Sequence, residues 1–131
     1  MTLDKLNPSA LPMPTGYSQV VVATGSRLVF VAGQVALDAE GTVVAPGDVV
    51  GQARQAFANL RTAIEAAGAS IGNVVKITWY VVGYRPELLA KLAAARNEVF
   101  QGHAPASTLV GVTALAQPDF LIEVEAVAVI D

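Results

Sequence analysis

Between Asp48 and Gly68 the apolar residues Val49, Val50, Ala53, Phe57, Leu60, Ile64 and Ala67 recur at the spacing of one helical face. Arg54, Arg61 and Glu65 fall largely on the other side. The Asp48 carboxylate can accept from free amides of the first turn, and Gly68 tolerates the positive φ that closes a helix. A second helix is predicted from Pro86, a residue suited to the first helical position, to about Phe100, with Gly102 beyond it. The remaining regular segments are rich in β-branched residues. Ser18 to Thr24 and Arg27 to Val31 flank Gly25-Ser26 and read as a hairpin; Val74 to Val82, Thr108 to Ala114 and Phe120 to Ile130 read as further strands. Asp38 to Gly47 reads as a turn-rich excursion with an edge strand at Thr42 to Val44. Residues 1–16, with Pro8, Pro12, Pro14 and Gly16, read as an irregular lead-in. The order β-β-α-β-α-β-β implies one α+β domain over residues 1–131, a single sheet with both helices packed on one face.

That arrangement leaves the other sheet face bare, and the composition explains what should cover it. Hydrophobic residues make up 53% of the chain and charged residues 15%, against about 25% charged in an average domain. A small body has too much surface to hide so much apolar material, so association of identical chains is expected. The eight Lys and Arg are scattered and the net charge is −3, whereas a phosphate-tracking surface needs clustered basic residues. Nucleic acid is therefore not an expected partner. The chain has no cysteine and one histidine, which excludes thiolate chemistry and a multi-His metal site. No apolar run approaches the roughly 18 residues of a membrane span. Met1 to Asn7 lacks the basic start and apolar block of an export signal, so the expected location is the cytoplasm.

Gly16-Tyr17-Ser18-Gln19, Ala32-Gly33-Gln34, Pro105-Ala106 and Ile122-Glu123-Val124-Glu125-Ala126, taken together and in this order, resemble the Rid family, the reactive intermediate deaminases, also called the YjgF family. Gly16-Tyr17-Ser18-Gln19 is similar to its Gly-Pro-Tyr-Ser-Gln motif, with Thr15-Gly16 in place of the Gly-Pro step. Ala32-Gly33-Gln34 resembles its Ser/Ala-Gly-Gln. Gln52-Ala53-Arg54-Gln55, Glu65-Ala66-Ala67-Gly68 and Val75-Lys76 resemble its first helix and following strand. Pro105-Ala106 and Ile122-Glu123-Val124-Glu125-Ala126 resemble its closing signature. The resemblance implies a chorismate-mutase-like fold and a homotrimer with small-molecule clefts between subunits. It further implies hydrolysis of enamines and imines to keto acids and ammonia, without metal or organic cofactor.

Carried over position by position, Tyr17 and Gly33 match cleft residues and Glu123 matches a glutamate that orients water and shuttles its proton. Ala106 and Ser107 follow Pro105, and Ser107 stands where the family places an arginine that grips a carboxylate. An asparagine usually offered by the second helix falls at Ala93 or Ala94, with Asn97 about one turn away. Arg85 and Arg96 flank this helix as replacement cations that nothing in the sequence directs to the cleft. Of Trp79 and Tyr80, on opposite faces of one strand, Trp79 is expected in the core and Tyr80 in the cleft. Glu125 reads as an interface or solvent carboxylate. His103 reads as a surface loop residue; paired with Ser107 it would suggest a nucleophile and base. The leading expectation is a Rid-like deaminase with an altered substrate. The alternative is a non-catalytic binder or sensor using the same cleft. Ribonuclease activity, sometimes attached to relatives, is disfavoured by the acidic balance and the absence of a basic stripe.

Overall fold

The computed structural model describes all of residues 1–131. Its strands are β1 (Thr2–Leu6), β2 (Val20–Thr24), β3 (Arg27–Gln34), β4 (Val74–Val82), β5 (Ala106–Val112) and β6 (Ile122–Ile130). Its α-helices are α1 (Val49–Ala66) and α2 (Leu89–Phe100). The main sheet has the order β3-β6-β4-β5; β4 and β5 run parallel, and β6 is antiparallel to both β3 and β4. No helix is long and apolar enough to cross a membrane.

Both helices cover one face of this sheet. Asp48 caps α1 by accepting from the Gly51 amide, and Gly68 follows the helix at φ +77°. The α1 stripe of Ala53, Phe57, Leu60 and Ile64 is fully buried, and Ile77, Trp79 and Val81 meet it from β4 with Val124, Ala126 and Ala128 from β6. Phe57 lies edge-on to Trp79 and to Phe100, at centroid distances of 5.5 and 6.1 Å. Each such buried side chain contributes about 1.5–3 kcal/mol of apolar transfer. Pro86 opens a single 3-10 turn, Pro86–Leu88, that leads into α2.

Three sequence expectations are corrected. Thr2–Leu6 is not irregular; it pairs antiparallel with β2 in a separate two-stranded ribbon. Consequently β2 and β3 form no hairpin: β2 takes its hydrogen bonds from β1, while β3 takes its own from β6. The Gly25-Ser26 turn is held elsewhere, with the Ser26 amide donating to Ile130 O. Thr42 to Val44 is not a strand but a single bridge between Leu37 and Val43.

The sheet face away from the helices carries Leu28, Phe30 and Val110, which are 63%, 73% and 38% exposed. This face, which also carries Tyr80, Glu123 and Glu125, is left uncovered by the helices of its own chain.

Candidate functional site

Strand alternation separates the chemistry-bearing residues into two groups. In the register of β5, β4 and β6, Val110, Tyr80 and Glu123 form one rung, and Thr108, Thr78 and Glu125 the next. These side chains point to the open face. Ser107 and Leu109 point the other way, toward α2 and Trp79. Ser107 and Glu123 therefore stand on opposite sides of the same sheet.

The group on the helix side, with Ser107 and Leu109, lines a groove of about 1200 Å³ at the β5 edge. Its walls are the segment around Thr15-Gly16-Tyr17, the α2 residues Ala93, Arg96 and Asn97, and Trp79, Ser107 and Leu109 from the sheet. Ser18 clips the N-terminal wall in place: its amide donates to Pro105 O at 3.0 Å and its hydroxyl to Ala104 O at 2.6 Å. That clip brings Tyr17 alongside Ser107 within one chain. The Trp79 indole N–H donates to Ser107 Oγ at 3.1 Å. The Arg96 guanidinium lies over the Trp79 ring, 5.6 Å from its centroid, and Arg96 is only 7% exposed. Burial lowers its pKa, yet a guanidinium keeps its charge in a protein. Asn97 Oδ1 accepts from Arg96 Nε and Nη2 at 3.2 and 3.0 Å.

The group with Tyr80, Glu123 and Glu125 occupies the open face. A Cβ placed on Gly33 would lie 2.0 Å from Glu123 Oε1, so glycine alone fits while the carboxylate keeps this position. Tyr80 donates its phenol to Glu125 Oε1 at 2.5 Å, and that bond, with burial and the nearby Glu125 and Glu123 charges, raises the Tyr80 pKa. Glu123 itself is half-buried and joins none of the three ion pairs. Its backbone is positioned by Gln52, fully buried in α1. The Gln52 amide donates to Asp119 O at 3.0 Å and its carbonyl accepts from the Leu121 amide at 2.9 Å, which fixes the approach to β6.

Measured against the sequence reading, Tyr17 and Ser107 share the groove, and Ala93 and Asn97 line it from α2. Gly33, Tyr80 and Glu123 share the open face, as does Ala106 by its register opposite Lys76. Trp79 is both core and groove wall. The Ser107–His103 pairing does not form. His103 Nε2 donates to Val74 O at 2.7 Å and Nδ1 accepts from Lys5 Nζ at 3.2 Å, while the ring stacks on Phe100. His103 lies in the loop between α2 and β5, as expected, but half-buried and engaged at both nitrogens it braces that loop instead of standing free in solvent. Arg85 is exposed and outside the groove; Arg96 is inside it. No group of three or more His, Asp or Glu side chains is placed to hold a metal.

Over residues 8–130 the chain matches the family described as Endoribonuclease L-PSP. The 2-iminobutanoate/2-iminopropanoate deaminase of Mus musculus is 38% identical over 119 residues, covering 86% of this chain and 80% of the mouse protein. The structure of YyfB from Yersinia pestis, a protein of the conserved Rid family, superimposes with a TM-score of 0.93 at 36% identity, covering 99% of this chain and 100% of that one. The structure of TdcF from E. coli with bound serine gives a TM-score of 0.69 at 30% identity, covering 98% of this chain and 99% of that one.

Proposed function

Because this chain belongs to the Endoribonuclease L-PSP family, the family also called Rid or YjgF, we propose that it hydrolyses the C=N bond of a small imine or enamine metabolite and releases ammonia. The observation that carries this reading is the approach of Gly33 to Glu123. It leaves a carboxylate free of ion pairs beside bare backbone. Such a group can hold a water molecule and take its proton as the oxygen adds to the imine carbon. Returned to nitrogen, that proton gives the carbinolamine, which then collapses: Glu123 passes the carbinol O–H proton to nitrogen as the C–N bond breaks, so ammonia leaves and the carbonyl forms. One water is consumed and no electron is transferred, so the reaction as written needs no redox partner.

One chain cannot bring Glu123 and the Ser107 groove to the same ligand, because the sheet stands between them. The reading therefore includes a homotrimer in which the groove of one copy faces the open sheet face of the next, with Tyr17, Gly33, Tyr80, Ala106 and Ser107 around the cleft. Exposed Leu28, Phe30 and Val110 supply apolar surface for that contact. The relatives support the substrate class: the mouse protein is named for iminobutanoate and iminopropanoate, and TdcF holds serine. The arginine that the family places after Pro-Ala is Ser107 here, which alters how the substrate is held.

The test is steady-state turnover of several imino acids made in situ by an amino-acid oxidase. Wild-type protein is expected to accelerate keto-acid release, and Glu123→Gln to lose that acceleration by about 10²–10⁴-fold. Binding of the keto acids without turnover would favour the second reading, a non-catalytic binder in the same cleft, for which the substitution at Ser107 is the specific support. Ribonuclease activity, which the family description names, has little physical support: the net charge is −3, and the lone histidine is held at both nitrogens by Val74 O and Lys5.

A further inference from the structure

Arg96 is a buried cation without an anion. Its residue is 7% exposed, and the ion pairs of the chain are the N-terminus with Asp131, Arg54 with Glu98, and Arg61 with Glu65. Holding a charge away from water costs free energy unless a charge of the other sign or enough acceptors replace the solvent. The partners present supply only part. Asn97 Oδ1 takes two of the N–H groups, at Nε and Nη2, and the Trp79 face gives a cation–π contact. Nη1 donates to no protein atom. Since no fully buried side-chain polar atom lacks a partner, Nη1 is not fully enclosed, and Arg96 lines the groove.

The surroundings are shaped around this group. A Cβ at Gly16 would lie 2.3 Å from Arg96 Nη2, and Gly16 sits at φ +76°. Proline cannot adopt that angle. The chain thus departs from the Gly-Pro step of the family motif at the residue that presses on the guanidinium. On the other side of Trp79, Ser107 is small and uncharged, so no second cation competes for the same anion. We infer that Arg96, reaching the groove from α2, is the seat for the anionic group of the ligand. The ligand is then an organic acid whose carboxylate meets Nη1 and whose apolar part lies against Leu89, Ala90, Ala93 and Leu109. This rests on the reading of the groove as the ligand site and changes the residue and the direction from which the acid is gripped.

Trp79 is the single tryptophan of the chain, so its fluorescence reports on the seat directly. The probes are 2-oxobutanoate, the keto acid formed by hydrolysis of 2-iminobutanoate, and its neutral amide, titrated against the assembled protein. The acid is expected to change Trp79 emission saturably and to bind at least tenfold more tightly than the amide. Arg96→Gln is expected to weaken the acid at least tenfold and to erase the preference, while Arg96→Lys, which keeps the charge, retains the preference in reduced form. Should Arg96→Gln not fold, the Lys variant and the acid-to-amide ratio of the wild type decide. Equal binding of acid and amide by the wild type, no saturable binding of the acid, or unchanged acid binding in Arg96→Gln would each overturn the inference. Its failure is distinct from that of the deaminase reading. An acid preference that needs Arg96, without turnover, leaves the seat standing and removes the enzyme; turnover undiminished in Arg96→Gln does the reverse.

Discussion

The indole N–H of Trp79 ends on the hydroxyl of Ser107, 3.1 Å away on the neighbouring parallel strand. Ser107 thus satisfies a donor on a nearly buried ring, besides leaving space in the groove. Ser107→Ala should lower unfolding free energy by about 1 kcal/mol, the cost of leaving a buried N–H without an acceptor, measured by denaturant titration. Ser107→Arg should also destabilise, because it removes the acceptor and brings a second guanidinium into the groove that already holds Arg96. With Arg96→Gln in the same chain, the stability loss of Ser107→Arg should shrink, and a double-mutant cycle gives the coupling.

Gly33→Ala separates catalysis from folding. The added Cβ would fall on the end of the Glu123 side chain, which can swing aside. Stability should change by less than about 1 kcal/mol, while imine hydrolysis falls at least tenfold. A variant with full turnover would show that the close approach is incidental to the chemistry.

His103 should make stability depend on pH. Burial lowers its pKa below the ordinary 6.5 and Lys5 lowers it further, while the bond to Val74 O partly opposes the shift. The folded protein therefore holds fewer protons than the unfolded chain just below that value, so stability falls as pH drops through it toward the folded pKa. Thermal unfolding of wild type and His103→Gln, followed from about pH 7.5 to about 5.5, should show the smaller decline in the variant. Parallel curves would mean that the histidine titrates alike in both states.

Phe30→Asp probes assembly. Phe30 is 73% exposed on the bare sheet face, where a carboxylate is harmless to a lone chain and costly in an apolar interface. Analytical ultracentrifugation should give the wild type a mass near three times the 13.5 kDa of one chain and the variant the mass of a monomer, with turnover lost. A monomeric wild type would remove the shared cleft.

The sequence made α1 legible because local and tertiary requirements agree there: the Asp48 cap, the buried stripe and Gly68 all act within the helix itself. Alternation likewise gives the facing of side chains along β4 and β6, whereas the order β3-β6-β4-β5 and its register arise only in the folded sheet. The N-terminal ribbon was not legible. A two-residue Gly25-Ser26 link between β-branched runs favours a hairpin locally, yet β2 pairs with β1 and the turn is held by Ile130. Arg96 was weighed beside Arg85 as a replacement cation but not assigned to the cleft, although a signal existed. It lies four residues after Leu92 and four before Phe100, both buried, which places it on the inner stripe of α2. Its partners Trp79, Gly16 and Asn97 meet only after folding, and no spacing rule connects the first two to α2.

The sheet between Arg96 and Glu123 acts as an insulator. A cation and an acid on the same side of one small protein would tend to quench each other long before a ligand arrived. Set on opposite faces, they form no ion pair within one chain, and in the proposed reaction only a neighbouring copy could bring both poles to one ligand.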